Sequence, residues 1–123
     1  MLEHTLARLN QLTPASRTLT VIGTDHKPHA VPQLSGVSDH VFCQPASGDT
    51  GLALYVALAM IKRWTPNATV TITPTDHYVE PGARYLDHVY VARTIATRIR
   101  DLVVILGVRP TEPDPDLGYL RIG

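Results

Sequence analysis

Residues Leu102 to Leu106 read Leu-Val-Val-Ile-Leu, an unbroken apolar run of strand length closed by Gly107. A strand with one wet face alternates apolar and polar side chains, so a run without alternation predicts a strand covered by helices on both faces of a parallel sheet. The rest of the chain supplies matching pieces. Leu2, Leu6, Leu9 and Leu12 form one stripe of an amphipathic helix that ends at or before Pro14. Thr18 to Gly23 and His40 to Gln44 read as short strands, and the Pro- and Gly-bearing stretch between them, Lys27 to Asp39, has room for a turn or two of helix. Gly51 to Trp64 is apolar almost all round, which predicts a buried helix with Asp49 or Thr50 as its N-cap. Thr69 to Thr73 alternates as a third strand, and about Pro81 to Arg100 predicts a helix with Leu86, Val89, Ala92, Ala96 and Ile99 on one stripe. Gly118 to Ile122 has the length for a final strand. Helices alternating with short strands predict an α/β domain of three layers with a mostly parallel sheet.

At 123 residues this is one domain. Its 11 basic and 11 acidic side chains cancel, so no basic face exists to neutralise a phosphate polymer or an anionic bilayer, and neither nucleic acid nor membrane is an expected partner. The longest apolar stretch, Gly51 to Ile61, is well short of the roughly 20 residues a spanning helix needs. Cys43 has no second cysteine to pair with, and Glu3 and His4 directly after Met1 and Leu2 do not read as a signal peptide, so the expected compartment is the cytoplasm.

Ligands of open parallel sheets bind beyond the carboxyl ends of the strands. Four polar clusters are expected there: Thr24 to His26, Gln44 to Thr50, Pro74 to His77, and Gly107 to Thr111. Asp76 has the chemistry for a divalent cation such as Mg²⁺, which takes one or two protein carboxylates and completes its shell with water and phosphate oxygens, although an Asp in a turn also bonds its own backbone. Gln44 to Thr50 leads into a helix N-terminus, which attracts anions through free N–H groups and the helix dipole, and Gln44 has an amide to offer a base edge; an ordinary capped helix start has the same pattern. His26, His29, His40 and Cys43 have spacings that superficially suit zinc, but residues 40 and 43 of a strand point to opposite faces. The chain has neither a GxxxxGK loop nor a GxSxG elbow.

Taken in order, Leu2-Glu3-His4-Thr5-Leu6-Ala7-Arg8, Gln44-Pro45 through Thr50-Gly51, Pro74-Thr75-Asp76-His77, Gly107-Val108-Arg109-Pro110-Thr111-Glu112-Pro113 and Gly118-Tyr119 resemble the sugar-phosphate nucleotidyltransferases, most closely their mannose-1-phosphate guanylyltransferase branch. The resemblance runs through essentially all 123 residues. It implies a Rossmann-like domain in which a sugar 1-phosphate, mannose 1-phosphate in this branch, attacks the α-phosphorus of a nucleoside triphosphate, GTP favoured, and expels pyrophosphate with Mg²⁺ as cofactor. By the same resemblance Asp76 is a Mg²⁺ ligand, Gln44 lies near the nucleobase, Gly48 and Thr50 lie close to the nucleotide, and Gly118 approaches the sugar, where a missing side chain lets backbone come near. The sequence also departs from the family. Its first strand and Gly-rich loop come before the helix at which this chain starts, so residues 1–123 are expected to be a partial domain lacking that strand. An Arg is common where Gly48 stands, and a Thr-Gly-Tyr-Gly-Tyr run is usual where this chain has Pro115 to Tyr119. The sugar-binding half and a second metal carboxylate would lie past Gly123. Loss of an internal strand exposes backbone groups, which neighbouring strands or a second copy of the chain would have to satisfy. The rival expectation is a non-catalytic remnant that binds nucleotide or joins other proteins.

Overall fold

The computed structural model describes residues 1–45 and 49–121. They form an α/β fold with a small parallel sheet, compatible with a Rossmann-like domain. In order, the elements are α1 (Leu2–Leu9), β1 (Leu19–Gly23), α2 (Lys27–Leu34), β2 (His40–Gln44), α3 (Thr50–Trp64) and α4 (Gly82–Arg98), with single 3-10 turns at Ala15–Arg17 and Thr24–His26. β1 and β2 run parallel, from Leu19 opposite His40 to Gly23 opposite Gln44. α2 makes the crossover between them, as a parallel pair requires.

The regular part of α1 stops at Leu9, earlier than the leucine stripe suggests. Toward Pro14 the backbone tightens into turns, with the Leu12 N–H on the Leu9 carbonyl at 2.8 Å. α2 tolerates Pro28 in its first turn and carries Pro32 inside. Gly36 follows at φ +75°, the left-handed conformation that turns the chain so that Val37 and Ser38 donate back to the Leu34 carbonyl at 3.1 and 3.0 Å.

The register of β1 and β2 is held by a buried hydroxyl pair. Thr20 Oγ1 donates to Ser38 Oγ at 2.8 Å, and the Ser38 hydroxyl shares its one proton between the carbonyls of Thr18 and His40, each 3.1 Å away. The core gathers Leu6 of α1, Ile22 of β1, Ala30 and Leu34 of α2 and Val89 of α4. α1 packs on both α2 and α4, while α2 and α3 lie against β1.

Four expectations differ from the structure. α3 forms over the expected span with Asp49 as N-cap, yet none of its residues is buried, and Tyr55 is 73% exposed. A sheet two strands wide covers one side of an all-round apolar helix and leaves the rest to solvent. Residues 69–73 form no regular element and join no ladder among the described residues; they run beside α4, where Thr69 Oγ1 meets Thr97 Oγ1 at 3.2 Å and Thr73 Oγ1 meets the Tyr85 hydroxyl at 3.4 Å. Residues 102–106 are likewise outside any sheet, with Val103 84% exposed, and so is Gly118 through Arg121. An apolar run becomes a strand only where adjacent backbone offers it a ladder, and among the described residues β1 and β2 bond to each other alone. The helix expected over 81–100 is present as α4, and its stripe is half-buried or buried from Leu86 to Ala96, with Val89 at its centre.

Candidate functional site

At the carboxyl ends of β1 and β2, the register sets Gly23 beside Gln44, and Thr24 Oγ1 donates to the Gln44 carbonyl at 2.7 Å. This bond fastens the turn after β1 to the end of β2. The Gln44 amide nitrogen is buried and has no hydrogen-bond partner among the described residues, a donor held at the mouth of the sheet. Gly48 lies outside the described residues. Asp49 and Thr50 are exposed at the start of α3, where the Asp49 carbonyl accepts from the N–H groups of Leu52 and Ala53 at 3.0 and 3.3 Å, and the Asp49 side chain makes no cap bond.

Asp76 sits, exposed, in the bend after the 69–73 segment. The backbone on either side of it is held by α1. Thr5, 2% exposed, donates from Oγ1 to the Thr75 carbonyl at 3.2 Å, and Arg8 Nη2 donates to the His77 carbonyl at 3.4 Å and to Thr5 Oγ1 at 3.3 Å. The Arg8 guanidinium carbon lies 5.1 Å from the centre of the Tyr85 ring of α4, within cation–π range. Beside this junction α1, the 77–79 segment and the first turn of α4 line a half-open cleft of about 490 Å³, bordered by His4, Arg8, His77, Val79 and Leu86 among others. Its volume is that of a small-molecule pocket. Farther along the segment, the Tyr78 hydroxyl donates to Glu80 Oε2, and that bond together with the carboxylate's charge raises the phenol above its ordinary value.

The structure therefore brings Gln44 to the end of the sheet and holds the Asp76 bend against α1 and α4, while no hydrogen bond among the described residues joins the two. A Cβ added at Gly118 would meet nothing within 4 Å, so the space beside it is open. The four candidate zinc residues do not assemble: His40 Nε2 lies 3.2 Å from the Ser16 carbonyl and its ring packs on Trp64 with centroids 4.8 Å apart, and no group of three or more His, Cys, Asp or Glu gathers among the described residues. Asp76 is thus a lone carboxylate rather than part of a preformed cage. Its hard oxygens suit Mg²⁺, an ion that draws most of its ligands from water and phosphate. Among the described residues, no helix is long and apolar enough to cross a membrane.

Sequence comparison extends over the same elements. The chain is similar along its whole length to mannose-1-phosphate guanylyltransferases. It is 29% identical over 126 residues to the enzyme of that name from Salmonella montevideo, covering 100% of this chain and 26% of the relative. The Escherichia coli enzyme is 24% identical over 128 residues, with 100% of this chain and 27% of the relative covered. The xanthan biosynthesis protein XanB of Xanthomonas campestris pv. campestris is 26% identical over 128 residues, with 98% and 27% covered. The chain spans about a quarter of the length of these curated relatives. No family model matches it, and no solved structure matches it with significance.

Thr5 and Arg8 do not stand out in the sequence as individual residues. Their signal was a polar pair, three apart, set within the turn of the Leu2, Leu6 and Leu9 stripe.

Proposed function

We propose that this chain is part of a three-layer sugar-phosphate nucleotidyltransferase domain, acting with a nucleoside triphosphate, GTP in preference, and a sugar 1-phosphate such as mannose 1-phosphate. The observation that supports this most is similarity from end to end to two proteins named mannose-1-phosphate guanylyltransferase. In this reading Gln44 presents its unpartnered amide to the base, Gly48 and Thr50 line the approach of the nucleotide to the start of α3, Gly118 leaves room for the sugar, and Asp76 holds Mg²⁺. Bound there, the ion would neutralise charge on the phosphate oxygens and orient them. The protein's share is positioning: the Thr24 bond fixes the Gln44 backbone, and the bend at 75–77 fixes where the Asp76 carboxylate starts.

Pyrophosphate release from GTP, Mg²⁺ and mannose 1-phosphate tests the reading. The expected outcome is release that requires all three components and falls at least about a hundredfold in Asp76→Ala, the scale of losing an electrostatic contact to reacting phosphates. An unchanged rate in that variant removes Asp76 from the metal site. A second reading, a module that joins another protein or a second copy of itself, is favoured by the uncovered apolar surface of α3 and of residues 102–108. It predicts no calorimetric heat with any nucleotide and a stable dimer in light scattering.

A further inference from the structure

The geometry points to Thr5 and Arg8 as positioning residues for Asp76: α1 grips the two carbonyls that flank it, and so sets the place and stiffness of the carboxylate. The inference rests on the reading of Asp76 as a Mg²⁺ ligand given above. Its physical basis is a short relay. Arg8 Nη2 donates to Thr5 Oγ1, the Thr5 hydroxyl donates onward to the Thr75 carbonyl, and the second Nη2 proton goes to the His77 carbonyl. Bonds in such a chain polarise one another, and a charged donor strengthens the first link. The bend itself has little else to hold it, because residues 75–80 form no regular element and Asp76 is exposed. Arg8 in turn is confined. Its Nε is buried with no partner among the described residues, its Cδ lies 3.9 Å from where a Cβ on Gly82 would be, and its guanidinium rests against Tyr85. Arg8 is thus half-buried between α1 and the first turn of α4. What the guanidinium adds is a fixed donor aimed at the backbone next to Asp76.

The test uses the whole chain and two readouts. Nitrogen-15 relaxation reports the stiffness of residues 75–79, and titration with Mn²⁺ in the presence of GTP, followed by electron paramagnetic resonance, reports metal affinity without any turnover. Arg8→Ala and Thr5→Val are expected to lower the order parameters of 75–79 from the rigid range near ~0.85 to below about 0.6, while leaving those of β1 and β2 unchanged. Mn²⁺ affinity is expected to fall about tenfold, as for other residues that orient a ligand from behind. Thr5→Ser, which keeps the hydroxyl, is expected to restore both readouts, and it guards against the case in which Arg8→Ala does not fold. Unchanged order parameters in both variants overturn the grip. A loosened bend with wild-type Mn²⁺ affinity, in a protein where Asp76→Ala loses that affinity, overturns the positioning role. If Asp76→Ala itself leaves Mn²⁺ affinity unchanged, the metal reading of Asp76 fails and the role of Thr5 and Arg8 toward it fails too, while the relaxation data still decide whether they hold the bend.

Discussion

Thr5 and Arg8 stand three residues apart on α1, close enough on the helix surface to bond to each other and to reach the same neighbouring segment. Both are polar where the helix meets the rest of the molecule, and a reading based on apolar periodicity has no place for them: the leucines explained why a helix forms, and the hydroxyl and guanidinium explain what it holds. Gln44 and Asp76 stand out in the sequence for the opposite reason, because strand ends and turns are where polar chemistry is expected in α/β folds. A second local pair is open to direct measurement. Tyr78 gives its hydroxyl proton to Glu80, whose carboxylate opposes formation of a phenolate. The phenol therefore ionises at higher pH than free tyrosine. Glu80→Gln is expected to bring the phenolate absorbance transition down toward the ordinary value of 10.0, and a transition that does not move would show that the two side chains are apart in solution.

Among the elements, α2 and the β1–β2 ladder follow closely from sequence, since each is set by neighbours within some twenty residues: Pro28 starts α2, Gly36 ends it, and Ser38 locks the register. Ser38→Ala is expected to destabilise the protein by about 1–3 kcal/mol, because Thr20 Oγ1 would be left buried without its acceptor, visible as a lower urea midpoint at unchanged slope. Adding Thr20→Val should recover part of that loss, as the stranded hydroxyl is then gone. The sequence of residues 69–73 and 102–106 suits strands on equally sound local grounds, and among the described residues they lack a ladder for a reason that periodicity cannot express. Whether a suitable run becomes a strand depends on backbone that lies beside it in space, not in sequence. Amides of residues 103–109 are accordingly expected to exchange with solvent almost as fast as in an unstructured chain, while those of the β1–β2 ladder are protected. Slow exchange in 103–109 would mean that this segment has found a partner strand in solution.

On the scale of the molecule, the two halves of the chain are joined by few but distant links. Apart from the grip of Thr5 and Arg8 on residues 75–77, Arg93 Nη1 of α4 donates to the Leu12 carbonyl at 3.1 Å, across 81 positions of sequence. These links give α1 its seat, for its buried residues face α4 as well as α2. During synthesis the first helix therefore leaves the ribosome long before its later neighbours exist. At about 5–20 residues per second, the wait for Arg93 is on the order of ten seconds. Through that interval the β1–α2–β2 unit can close on its own short loop, and the Leu6 face of α1 can lie against α2. The grip on the Asp76 bend thus has a place in time as well: it can close only once translation has passed His77, 69 positions after Arg8.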